Sequence, residues 1–171
     1  MINKKYCFDE IRLRKREELI DTGYEIYPYS YMDSVHIKSL IEKYSDINDK
    51  DKNSNISINT SGRIWAIRNM GKTFFMDLRD NTGQIQLYIN KGIISKENWD
   101  LINYIDIGDI IGAVGVVFRT KMGELSIKVT DLKILAKAVV SIPIGKETEE
   151  KIYYRVTDPE VKYRERYIHW L

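Results

Sequence analysis

The sequence predicts a mainly β domain, a small five-stranded barrel with flanking helices, and three observations carry that expectation. Residues 73–90 alternate apolar and polar side chains on either side of a four-residue turn, as two half-buried strands do. Residues 109–120 (DIIGAVGVVFRT) are a glycine-rich strand, and residues 124–129 return from it with Leu125, Ile127 and Val129 on one side. Between these two pairs lies a helix-like stretch, residues 93–104 (IISKENWDLINY). Five strands with a helix between the third and fourth describe an OB-fold barrel.

The chain opens with a helix over residues 9–21 (DEIRLRKREELID), rich in helix formers and ending near Gly23. Arg12, Lys15, Arg16 and Leu19 share one side of it. Such a stripe is ordinarily a solvated charged face; the alternative is a basic face laid against phosphates. Residues 24–31 (YEIYPYSY) read as an extended connector, residues 35–44 as a second short helix, and residues 45–55 as a polar loop. Residues 1–55 therefore form an N-terminal helical extension and linker.

Residues 56–136 are the barrel. Its first strand, 56–68, carries Gly62 as an expected bend or bulge, which leaves its inward phase open. In the hairpin that follows, Phe74, Met76, Leu78, Ile85, Leu87 and Ile89 form the buried side. The other side holds Phe75 and Tyr88 among Arg79, Gln84 and Gln86. An aromatic ring between amide and guanidinium groups suits a base that is stacked and read along its edge. Residues 121–123 make a tight connection into the fifth strand, and residues 132–134 prolong it. Residues 137–171 are a connector with a charged run at 146–151 and an aromatic ending, YRERYIHWL, as expected of a piece cut from something longer.

Composition narrows the function. The 171 residues are 43% hydrophobic and 30% charged, as in a folded soluble protein. The formal charge of +2 excludes a strongly basic tail, while 27 cationic side chains still allow a local basic patch. A single cysteine, Cys7, rules out an intrachain disulfide, and no apolar run reaches membrane-spanning length, so a cytoplasmic setting is expected. Gly71-Lys72-Thr73 ends like a phosphate-binding loop, but Ala66 stands where such a loop needs glycine and a strand follows. His36 and His169 are far apart, so no metal site is expected. No acid/base pair or nucleophile stands in a recognisable setting, so no catalytic residue is assigned.

The words GRIWAIRNMGKTFFMDLRDNTGQIQLYI, IGDIIGAVGVVFRTKMGELSIKV and DPEVKYRERYIHWL resemble the N-terminal anticodon-binding domain of bacterial-type class II lysyl-tRNA synthetases. The opening IRLRKREELIDTGYEIYPYSY is similar to the first helix and following segment of that family. The ending Ile168-His169-Trp170 departs from its usual wording. The resemblance implies that Phe75 stacks on an anticodon base and Gln86 bonds the central uridine. It implies that Arg68 meets a base or phosphate and that Glu124 accepts from a base edge. The pleat also places Phe75, Gln86 and Glu124 outward. Lys72, Arg79, Gln84, Tyr88, Arg12 and Arg16 are lesser RNA-contact candidates. The implied partner is tRNA-Lys, with lysine, ATP and Mg2+ bound only by a catalytic domain outside these residues and no cofactor within them. The parent would be a homodimeric lysine–tRNA ligase, and the chain alone would be inactive. An aspartyl- or asparaginyl-tRNA synthetase domain, or a stand-alone OB-fold binder, is the alternative.

Overall fold

The computed structural model describes residues 8–31, 33–45, 57–120 and 122–140, and the backbone of residues 147–148 and 151–152. Five strands run β1 (Ser57–Asn69), β2 (Thr73–Arg79), β3 (Gln84–Asn90), β4 (Ile110–Arg119) and β5 (Leu125–Ala136). They close into a barrel in the order β1-β2-β3-β5-β4, with β4 returning to pair with β1. All pairings are antiparallel except β3–β5, which is parallel and joins only Gln86, Leu87 and Tyr88 to Ser126, Ile127 and Lys128. The expected OB-fold is present, with its helix between the third and fourth strands.

Period-two alternation fills the interior. Met76 and Leu78 from β2, Leu87 and Ile89 from β3, and Ile127, Val129 and Ile134 from β5 are all fully buried. Each such side chain contributes roughly 1.5–3 kcal/mol of burial. The first strand breaks the alternation at Trp65, where its register against β2 skips from Ile64–Leu78 to Ala66–Asp77. The bulge is therefore at Trp65 and not at Gly62. Gly62 answers a different need: a Cβ there would lie 2.6 Å from the Arg79 carbonyl oxygen.

Helix α1 (Glu10–Asp21) is capped by Asp9, whose side chain accepts from the N–H of Ile11 and Arg12, and it ends before Gly23 at φ +77°. Its basic stripe is largely engaged by the protein itself. Arg12 Nη1 donates to the carbonyls of Ile107 (2.9 Å) and Ala138 (3.3 Å), and Lys15 pairs with Asp106 at 2.6 Å. Arg16 lies 5.9 Å over the Tyr27 ring, and Leu19 is buried. Through Arg12, Lys15 and Leu19 the stripe is the face by which α1 packs on the rest of the domain, so Arg12, expected as a lesser RNA contact, is engaged in docking the helix, while Arg16 rests against Tyr27 of the connector.

The same anchor contains a buried ion cluster. Lys137, whose side chain is wholly buried, reaches Asp106 at 2.5 Å and the equally buried Asp109 at 2.7 Å. Asp109 also accepts from the N–H groups of Asp106 and Ala138. Burial pushes the Asp109 carboxyl above its ordinary range despite these donors. Burial also works against the charged form of Asp106, but Lys137 and Lys15 outweigh it and hold that carboxyl below its ordinary range. Residues 137–139, read as the start of a connector, are thus bound to the barrel, and Val139 accepts from Asp9 N at 3.0 Å.

Helix α2 (Ile37–Lys43) buries Ile37 and Leu40 over the β2–β3 turn, where Asp80 accepts from Ile37 N at 2.9 Å. Helix α3 (Lys96–Leu101), capped by Ser95, continues as a 3-10 turn (Ile102–Tyr104) and sets Trp99 edge-on to Phe74 at 5.4 Å. Within the charged run, β6 (Glu147–Thr148) and β7 (Lys151–Ile152) form a two-stranded hairpin that the sequence did not suggest. Residues 46–55 of the polar loop and the aromatic ending lie outside the described residues. Among the described residues, no helix is long and apolar enough to cross a membrane, and no group of His, Cys, Asp or Glu is arranged to hold a metal.

Candidate nucleic-acid interface

Strand register gathers side chains from five elements onto one outer patch. Arg68 of β1 stands opposite Phe75 of β2, Phe75 opposite Tyr88 of β3, and Tyr88 opposite Lys128 of β5. The neighbouring row runs Asp77, Gln86, Ser126 and Phe118. Beyond the Trp65 bulge, this phase puts all of them on the side away from the core. A cavity of about 490 Å³ opens here, walled by Arg68, Phe75, Gln86, Tyr88, Phe118 and Glu124, with Met70, Thr120 and Met122 at its edge.

Its apolar wall is a run of three rings. Phe75 meets Tyr88 edge-on at 5.4 Å, and Tyr88 meets Phe118 edge-on at 5.6 Å. Lys128 Nζ lies 5.6 Å over the Phe118 ring. Tyr88 accepts at its hydroxyl from Asn90 Nδ2 at 3.2 Å, which fixes the middle ring. The rings hold each other and leave half-buried faces toward the cavity.

The polar wall centres on Gln86. Its Nε2 donates to Glu124 Oε2 at 2.8 Å, and its Oε1 accepts from Ser126 Oγ at 3.1 Å. Only this amide orientation suits the pair, because a carboxylate can accept but not donate. Gln86 is 6% exposed. The expectation of an outward Gln86 is right in direction, but neighbours on β5 enclose the side chain, and the pleat of one strand cannot show that. Glu124 takes Gln86 as its partner. Arg68 donates through Nη2 to Asp77 Oδ1 at 2.9 Å with its side chain half exposed, a pairing worth little by itself.

Arg68, Phe75, Gln86, Tyr88 and Glu124 therefore meet in one cavity, although the first strand's bulge had left Arg68 unplaced by counting. Arg79 and Gln84 do not join them. They stand opposite each other at the far end of the hairpin, and Arg79 lies 4.8 Å over the Trp65 ring. Lys72 is exposed on the β1–β2 turn and is not among the cavity's walls. Sequence reasoning missed Phe118 and Asp77. Phe118 stands in the FRTK word that helped carry the resemblance, and Asp77 shares the outward phase of Phe75, so both had a readable signal.

Residues 58–135 match the tRNA anti-codon family model, described as an OB-fold nucleic acid binding domain. The chain is 39% identical over 163 residues, or 95% of its length, to a lysine–tRNA ligase of Methanoculleus marisnigri, covering 30% of that protein. It is 40% identical over 97% of its length to one of Methanospirillum hungatei, covering 31% of it. A lysine–tRNA ligase of Thermotoga maritima is 35% identical over 94% of the chain, with 31% of that protein covered. The chain thus spans about a third of the length of the curated relatives it matches, in their N-terminal part.

Proposed function

We propose that the barrel, whose residues 58–135 match the model of the tRNA anti-codon family of OB-fold nucleic acid binding domains, reads the anticodon of tRNA-Lys for a lysine–tRNA ligase. The observation that carries the reading is the Gln86–Glu124 bond beside the three rings. One Nε2 hydrogen of Gln86 is committed to Glu124. Its other hydrogen and the second Glu124 oxygen make a donor beside an acceptor at the cavity wall. Uracil offers the complement: a carbonyl oxygen next to N3–H. A carboxylate repels phosphate, so Glu124 serves discrimination and not general affinity. Phe75 supplies the stacking face, worth about 1–3 kcal/mol per base, and Arg68 supplies a charge for the phosphates.

Joining lysine to tRNA belongs, in this reading, to a class II catalytic part beyond these residues, which would bind lysine, ATP and Mg2+ and pair two subunits in the cytoplasm. The chain itself is a recognition module without ligase activity. Fluorescence anisotropy with an anticodon stem-loop carrying UUU tests the reading, alongside the stem-loops of tRNA-Asn and tRNA-Asp. Preference for UUU that collapses when the central uridine is changed is the expected result. Equal affinity for all three stem-loops would leave only a general RNA binder, and pyrophosphate exchange by the purified chain would contradict its role as a module.

A further inference from the structure

The same outer face carries a second groove that the anticodon reading does not use. About 410 Å³ of space opens beside Arg63, Trp65, Arg79, Asp80 and Asn81 at the β1 bend and the β2–β3 turn. Trp65 is the extra residue of the bulge, which releases it from the ladder against β2 and turns its half-buried ring to this groove. The Arg79 guanidinium lies 4.8 Å from the ring centre. Arg63 stands opposite Arg79 and is steadied by donating through Nη1 to the Gly108 carbonyl at 2.8 Å. Asp80 borders the same groove. Asp80 accepts from the N–H groups of Ile37, Thr82 and Gly83 and from the Thr82 hydroxyl.

We infer that the Trp65–Arg79 groove is a second nucleotide subsite, which stacks a base of the RNA strand running on from the Phe75 cavity while Arg63 and Arg79 meet its phosphates. Indole and guanidinium planes are both surfaces on which unpaired bases stack. Position along the strand gives the spacing. Arg63 and Arg68 are five residues apart on β1, roughly 17 Å at 3.3 Å per residue. That distance is a few nucleotides of extended strand. Single-strand binding by OB-folds covers about 4–16 nucleotides, more than the Phe75 cavity holds. Arg79 and Gln84, separated from the first site, thereby gain a place on the RNA path.

The inference rests on the chain being an RNA binder, and the test separates the two claims. Affinities of the 171-residue chain for uridine oligomers of about four and about ten nucleotides are measured at low salt. Trp65→Ala is expected to lower the ratio of long to short affinity about five- to a hundredfold, the equivalent of one stacked base. Trp65→Phe, which keeps a ring and guards against a folding artefact, should restore most of it. Phe75→Ala should weaken both oligomers alike and leave the ratio unchanged. A ratio indifferent to Trp65→Ala, with Phe75→Ala still weakening binding, overturns the second subsite and spares the first. Should Trp65→Ala instead abolish self-association in sedimentation with RNA binding intact, the groove is a protein contact and the inference fails. No RNA binding by the unaltered chain would remove both claims.

Discussion

The Gln86 amide of β3 and the carboxylate of Glu124, the residue just before β5, are bonded at 2.8 Å across two strands that meet only along a short parallel pairing. Neither residue is placed by its own strand alone. Glu124 just precedes β5, held there by its N–H donating to Thr120 Oγ1 at 3.1 Å and by its carbonyl accepting from Thr120 N at 2.9 Å. The turn thus sets the carboxylate that orients the amide.

Replacing Glu124 by alanine frees the Gln86 amide and removes a negative charge from the RNA-facing surface. We expect discrimination between UUU and UCU stem-loops to fall by about tenfold, or ~1.4 kcal/mol, while affinity for UCU stays level or rises. Anisotropy titrations with the two stem-loops measure both quantities. A uniform loss for both would assign Glu124 to folding and not to reading.

Phe75→Ala removes the first of three mutually supporting rings. Stem-loop binding should weaken by about 1–3 kcal/mol, with the slope against log salt unchanged because no phosphate contact is lost. Arg68→Gln should do the reverse, reducing that slope by about one unit. Titrations at several salt concentrations separate the two, and an altered slope in the phenylalanine variant would remove it from a stacking role.

Lys137→Met leaves Asp109 buried without its cation. Breaking a buried pair from one side costs roughly 3–5 kcal/mol, which a urea denaturation series resolves. The double change Lys137→Met with Asp109→Asn should recover part of that loss, since it removes the uncompensated charge while the amide oxygen still accepts from a backbone N–H. A single variant as stable as the parent would mean that the pair does not anchor the end of β5.

Asp80 gives a pH dependence of definite sign. Burial works against its charged form, but four hydrogen bonds outweigh it and hold the carboxyl below its ordinary value of 3.8. The unfolded chain therefore takes up this proton first as the medium is acidified. The contribution is full above the ordinary value and is lost as pH falls through the folded one. Asp80→Asn cannot accept from Ile37 and Thr82 together through two oxygens, so its urea midpoint should be lower at neutral pH. The gap to the parent should narrow as the pH falls below the ordinary carboxylate value. Asp106 and Asp109 are common to both proteins, so the difference isolates Asp80. A gap constant across that range would place the stabilisation elsewhere.

What the sequence disclosed follows from how far each cause lies along the chain. The β2–β3 hairpin was legible because strand periodicity and the turn residues of 80–83 are local, and they put Phe75, Gln86 and Tyr88 in the right phase. Arg68 was not placed, because an extra residue at Trp65 resets the phase of β1 and nothing in the composition of 62–66 marks which residue is extra. The stripe on α1 was misjudged for a different reason. The partners that tie Arg12 and Lys15 to the rest of the domain lie 91 to 126 residues away, and a basic stripe reads the same whether phosphates, water or distant carbonyls satisfy it. Enclosure of Gln86 likewise depends on β5, some 40 residues on.

The β3–β5 pairing holds only three residues a side, and two of them, Gln86 and Tyr88, face the cavity above it. The cylinder's shortest join runs directly beneath the candidate recognition surface. Any occupant touching both margins acts as a suture: it gains affinity from a shut seam, and the seam gains protection from it. Amide exchange along this join should therefore slow on RNA binding more than it does on the β4–β5 side, where the ladder already spans ten positions.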